Sequence, residues 1–151
     1  MRCDVNKRKI EAAAQRCRAE LHGDGLPVDV LGIMRRLDVH VVDNTAVQHT
    51  GQHLKGSELG KCITNGKTWV VIFDDTQPKD VARFTLGHEL GHIYLDHAGE
   101  RLRMERDHER QADEFARQLL CPRRELERMN VTDPQDVARI CKVPLSAARA
   151  L

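Results

Sequence analysis

The residues of this chain best suited to chemistry lie in Thr85-Leu86-Gly87-His88-Glu89-Leu90-Gly91-His92. On an α-helix four residues advance about 400°, so His88 and His92 fall within roughly 40° of one face, a turn apart. Two imidazoles so placed can aim at one ion. Glu89 lies roughly 100° further round, beside that ion rather than among its first ligands. Two nitrogen ligands, and a carboxylate able to take a proton from an activated water, are what a zinc hydrolase needs.

Such a site needs a third protein ligand. A third histidine six residues after the second, with a glycine midway, fails as a pattern, because those positions hold Ala98 and Leu95. A glutamate on the following helix fits better. Glu109 and Asp113 are four apart and share a face: Glu109 can reach the metal, and Asp113 can accept a hydrogen bond from the outer nitrogen of a ligand histidine and fix its tautomer. Ala112 and Ala116 are small, as close packing of two helices requires. Glu105 and Glu114 lie on the same helix, and His97 and His108 are ligands by type. His108 points about 100° away from Glu109, which leaves it as a candidate polariser of a substrate carbonyl. Cys62, just before the zinc helix, has two readings. Its thiolate can occupy the open metal position and hold the site inactive, or it is a small core residue packed beside Trp69.

These side chains need two helices and a support. Residues 6–21 read as a helix with Ile10, Ala13, Ala14, Cys17 and Leu21 on one stripe and Gly23 as the stop. After a loop at 23–27, a short helix at 28–37 turns Val30, Leu31, Met34 and Leu37 inward, and 39–42 is a strand. Residues 45–56 are polar, a loop or an irregular strand. Segments 60–64 and 67–73 flank Asn65-Gly66, the pair favoured by a two-residue type I′ turn, which places Cys62 opposite Trp69. Trp69-Val70-Val71-Ile72-Phe73 is apolar on both faces and reads as an inner strand. Pro78 opens the metal helix, which runs to about His97. Gly87 and Gly91 inside it each cost about 1 kcal/mol against alanine, which points to another backbone passing close by. A loop at 98–104 leads to a helix at 105–121, then a further turn or two to 129. Thr132-Asp133-Pro134 starts a helix, and the last twenty residues form two short helices broken near Pro144.

The fold class is thus α+β: a short twisted sheet with its hairpin, packed against the histidine helix and the following glutamate helix, with a helical C-terminal segment. The expected organisation is one domain over 1–151, divided into an N-terminal helix (1–23), a core (26–122) and the C-terminal helices (123–151). The chain is 40% hydrophobic and 31% charged, the composition of a globular protein. Its 24 Lys and Arg against 23 Asp and Glu argue against a broad nucleic-acid footprint. No apolar run reaches the roughly eighteen residues of a membrane span, and 1–7 has no signal-peptide core. Five cysteines, an odd number with no Cys-x-x-Cys pair, read as mostly reduced thiols in the cytoplasm. Residues 133–151 are short and poorly basic for a DNA-binding helix-turn-helix, and fit better as a cap on the core or a dock for substrate.

With these residues in view, the chain resembles the ImmA/IrrE family of zinc metallopeptidases. The resemblance rests on Arg83-Phe84-Thr85-Leu86-Gly87-His88-Glu89-Leu90-Gly91-His92, on Glu109-x-x-Ala112-Asp113-x-Phe115-Ala116 and on Leu119-Leu120-Cys121-Pro122, and it spans about residues 26–145. Asp113 stands where the family usually has Asn, and Cys121 where it has Met. The resemblance implies a small zincin-like domain with one zinc ion per chain, a metal-dependent endopeptidase with Glu89 as its base. It implies a helix-turn-helix repressor of the XRE type as substrate, whose cleavage switches on stress, mobile-element or phage-defence genes, and a nucleic-acid or stress signal as activator. The alternative is a zinc-stabilised anti-repressor that displaces the repressor without cutting it.

Overall fold

The computed structural model describes residues 2–95 and 105–151, with side chains described from residue 7 and, after the second helix of the site begins, from residue 107. The expectations placed on 96–104, including the loop and His97, lie outside the described residues, as does the side chain of Glu105.

Helix α1 (Arg2–Leu21) is followed by α2 (Val30–Arg36), β1 (Val39–Asp43), a 3-10 turn (Asn44–Val47), β2 (Gly60–Thr64) and β3 (Trp69–Phe73). Then come α3 (Lys79–Tyr94), α4 (Glu105–Leu120), α5 (Arg123–Arg128), α6 (Pro134–Cys141) and α7 (Leu145–Arg149). The sheet order is β1-β3-β2, with β3 parallel to β1 and antiparallel to β2. The apolar strand is therefore the central one, as its two-sided hydrophobicity requires, and Val71 and Ile72 are buried. Strand β2 is an edge.

Helix α4 is the hub. Ala112, Phe115, Ala116, Leu119 and Leu120 recur at helical spacing and are all fully buried. They face α3 on one side and α1 on the other, where the stripe Ile10, Ala13, Ala14 and Cys17 is buried as its period demands. Arg18 of α1 donates to the carbonyls of Gln118 and Leu119, which satisfies acceptors left open at the C-terminal end of α4. Asp133 caps α6, with Pro134 at its first turn, and Pro144 opens α7. Val137, Cys141, Val143, Ala147 and Ala148 belong to the main hydrophobic cluster, so the C-terminal segment caps the core.

Two local expectations are corrected. Leu31 is 47% exposed, whereas Ile33 is buried. Val30, Ile33 and Met34 form the inward i, i+3, i+4 stripe, and Leu31 falls off it. The hairpin does not close with two residues: Thr64 pairs with Trp69, and Cys62 pairs with Val71 rather than Trp69. The Asn65 carboxamide oxygen accepts from the backbone amides of Lys67 and Thr68, and Gly66 has φ +91°. This side-chain turn draws Lys67 and Thr68 out of the ladder, a competition between Asn and the backbone that favours turns over strands.

Candidate metal centre

Helices α3 and α4 approach until Gly87 and Gly91 lie against Ala116 and Ala112. This contact is the reason for the two helix-weakening glycines. It brings the functional faces together across the helix pair. His88 Nε2 lies 3.0 Å from Glu109 Oε2, His92 Nε2 lies 2.8 Å from Glu109 Oε1, and the two Nε2 atoms are 3.1 Å apart. Among the described residues these three form a group that could hold a metal ion, their ligand atoms all within 4.8 Å of one another.

The protonation pattern favours a cation there. Asp113 Oδ1 is 2.6 Å from His88 Nδ1. A carboxylate only accepts, so Nδ1–H donates and the neutral ring presents its Nε2 lone pair inward. That lone pair faces a carboxylate oxygen and a second imidazole nitrogen. Three such atoms are stable together only around a proton or a cation. Four-coordinate zinc with bonds of about 2.0–2.1 Å sets neighbouring N and O ligands roughly 3.3 Å apart, close to the observed spacing, so the donor set fits the ion. In its absence a proton is favoured: burial opposes charge on His88, but the Asp113 hydrogen bond and the carboxylates of Glu89, Asp113 and Glu109 raise its pKa above the ordinary value. The two imidazoles are 15% and 13% exposed and Glu109 is 57% exposed, so the group opens to solvent on the α4 side.

Glu89 is 5% exposed. Burial pushes its carboxyl up to about 7, against the pull of His88 and a hydrogen bond from the Cys62 thiol. That thiol is itself pushed up to about 12, by burial first and then by the Glu89 carboxylate. Cys62 lines the same cleft as Glu89 and is not part of the His88, His92 and Glu109 group. A cleft of about 720 Å³ runs over the site between β2 and the helix pair, lined along one wall by Glu58, Leu59, Gly60, Lys61, Cys62 and Thr64. Its other walls include Phe84, Thr85, His88, Glu89, His92, Glu109 and Asp113. His108 is half-buried and is not among the lining residues. Tyr94 packs on Phe115, ring centroids 5.5 Å apart.

Sequence reasoning missed Gly60 and Thr85. A Cβ on Gly60 would lie 2.6 Å from Thr85 Cγ2 and 3.3 Å from Glu89 Cγ, so this bare stretch of strand is what lets the base tuck beneath β2. A glycine at the start of a strand next to a chemistry-bearing helix is the signal that pointed there.

Over residues 34–150 the chain matches the peptidase M78 family, described as the IrrE N-terminal-like domain. No curated protein matches it. It is similar in fold to a Mycobacterium tuberculosis transcriptional regulator of known structure, with a TM-score of 0.65 at 18% sequence identity over 96% of this chain and 47% of that one. The chain thus spans about half the length of that regulator. None of its described helices is long and apolar enough to cross a membrane.

Proposed function

The chain belongs to the IrrE N-terminal-like domain family, and from that premise we propose that it is a zinc-dependent endopeptidase that cleaves a helix-turn-helix repressor and so releases the genes that repressor holds silent. The observation that carries the hydrolytic reading is the convergence of His88, His92 and Glu109 with a buried glutamate beside them in one cleft. A purely structural site has no use for such a base. The regulatory half of the reading draws on the family and on the fold shared with a transcriptional regulator.

His88, His92 and Glu109 hold the ion, which supplies Lewis acidity toward water and a peptide carbonyl. Asp113 keeps His88 in the tautomer that points Nε2 at the cleft. Glu89 takes a proton from the attacking water and delivers it to the leaving amine; a carboxyl raised to about 7 by burial is basic enough for the first step and acidic enough for the second near neutral pH. Substrate lies extended along the free edge of β2, which forms one wall of the cleft, adding a strand to the sheet so that backbone hydrogen bonds hold the scissile bond over the metal centre.

The test is incubation of the zinc-loaded chain with candidate helix-turn-helix repressors, starting with any encoded next to its own gene. Fragments that appear with zinc and vanish with chelator or with Glu89→Gln support the reading. An intact repressor that nonetheless leaves its DNA overturns the proteolytic assignment in favour of a binding module.

A further inference from the structure

Helices α5, α6 and α7 have 6, 8 and 5 residues. Helices that short hold only by burying an apolar face against their neighbours. Each contributes a buried side chain to the main hydrophobic cluster: Leu126 from α5, Val137 from α6 and Ala148 from α7. Their packing does not close completely. A pocket of about 310 Å³ remains, lined by these three residues and by Cys121, Val131 and Leu151. It shares no lining residue with the metal cleft.

The charged part of the lining has one dominant sign. Lys7 of α1, Arg123 of α5 and Arg149 of α7 stand against a single acid, Glu127. Neighbouring arginines are paired, Arg117 with Glu114 and Arg139 with Asp136. Among the described residues, Arg123 and Arg149 have no hydrogen-bond or ion-pair partner. An apolar floor beside uncommitted cations is complementary to a molecule with an apolar body and a negative head. We propose that this pocket binds a small amphipathic anion, an alkyl or aryl body ending in one carboxylate or phosphate, with Arg123 and Arg149 holding the head.

The apolar body takes the place of water over Leu126, Val137 and Ala148, which favours binding in proportion to the area covered. Guanidinium forks from two separate helices match the oxygens of either head, which a lysine meets only as a point charge. The volume lies at the small end of ligand pockets, which excludes large occupants. Arg123 and Arg149 are exposed, so ordering them costs entropy and salt screens them, and affinity falls as ionic strength rises. An occupant touches α5, α6, α7 and the end of α4 together, and so raises Tm by mass action.

The experiment reads no proteolysis, so it stands or falls apart from the proposed function. Sodium octanoate, octyl phosphate and the neutral analogue octanol are titrated, below their aggregation limits, into the zinc-loaded full chain. Backbone amide NMR shifts follow the binding. At least one anion is expected to saturate a single site, with shifts concentrated on Lys7 and residues 118–151, and to bind about tenfold or more tightly than octanol. Whichever anion binds more tightly identifies the head. Arg123→Gln and Arg149→Gln should each weaken binding about five- to tenfold. Arg124→Gln, on the same helix but outside the pocket lining, should stay within about twofold of wild type. Glu127→Gln should tighten binding. All four substitutions fall on exposed side chains, which leaves the fold intact. No saturable binding of either anion, octanol binding as tightly as the anions, or an equal loss in Arg124→Gln overturns the proposal.

Discussion

Gly91 and Ala112 meet backbone to backbone: a Cβ at position 91 would lie 3.1 Å from both the Cα and the carbonyl oxygen of Ala112. The atoms in the way belong to the main chain of α4 and cannot rotate aside. At Gly87 the corresponding neighbours are Leu120 Cδ1 at 3.2 Å and Ala116 Cβ at 3.3 Å, and the leucine can yield. Alanine gains about 1 kcal/mol of helix propensity at either site. Gly91→Ala is therefore expected to destabilise by about 1–3 kcal/mol net, lowering Tm by several degrees, and to weaken metal binding by spreading the ligands. Gly87→Ala is expected to be near neutral. Equal Tm values for the two variants would contradict this ordering.

The hydrogen bond between Asp113 and His88 predicts a loss confined to the metal. Asp113→Ala removes the acceptor that fixes the His88 tautomer, and zinc affinity should fall about 10- to 100-fold, read by competition with a chromophoric chelator. Thermal stability of the metal-free protein should change little, because Asp113 is at the open mouth of the site. Unchanged affinity would remove Asp113 from the site.

Glu89 predicts a pH-dependent stability in the metal-free protein. Its folded pKa, about 7, is raised from 4.5, so the folded state holds the proton more tightly than the unfolded one. Stability is highest below the unfolded value and falls as pH rises from 4.5 through 7. Glu89→Gln removes the penalty of a buried charge. Its gain over wild type should be absent near pH 4 and reach about 3 kcal/mol above pH 8. Denaturant titrations at the two pH values measure it, and a gain that is the same at both would show that burial of the charge is not the cause. The same variant should bind zinc and not cleave.

Gly60→Ala should separate the base from the ligands. The new methyl collides with Thr85 Cγ2 and presses on Glu89 Cγ, while His88, His92 and Glu109 are untouched. Cleavage is expected to drop by at least tenfold with zinc affinity within about threefold of wild type, the signature of a misplaced acid–base group. Parallel loss of both would mean that the whole helix had moved.

Asp75 ties the polar segment after β1 to the turn after β3: it accepts from the Thr45 amide at 3.0 Å and the Thr45 hydroxyl at 2.7 Å. These bonds lower its pKa, as bonds from Thr76 and Gln77 lower that of Asp74. A depressed carboxylate pKa contributes stability above the unfolded value of about 3.9 and loses it as pH falls through the folded value. Hydrogen exchange of the amides from 44 to 54 should therefore accelerate below about pH 4 relative to core amides. Protection that holds level down to pH 3 would rule the tie out.

The pattern of residues carried the chemistry of this chain. His88 and His92 a turn apart, Glu109 and Asp113 a turn apart, and the glycine and alanine pairs that let the helices touch are properties of helical periodicity, which acts over a few residues and is legible without coordinates. The apolar run 69–73 declared itself a central strand for the same local reason. What lies between elements was decided only in three dimensions. The hairpin register depended on whether Asn65 spends its side chain on the turn, a choice between nearly equal hydrogen bonds. The face of α2 depended on what α2 packs against, which put Ile33 inside and Leu31 out. That Cys62 shares a cleft with Glu89, and that β2 is the free edge beside the metal group, follow from sheet order and helix docking. Those are set by burial of the core as a whole, a non-directional force that leaves no mark at the positions it brings together.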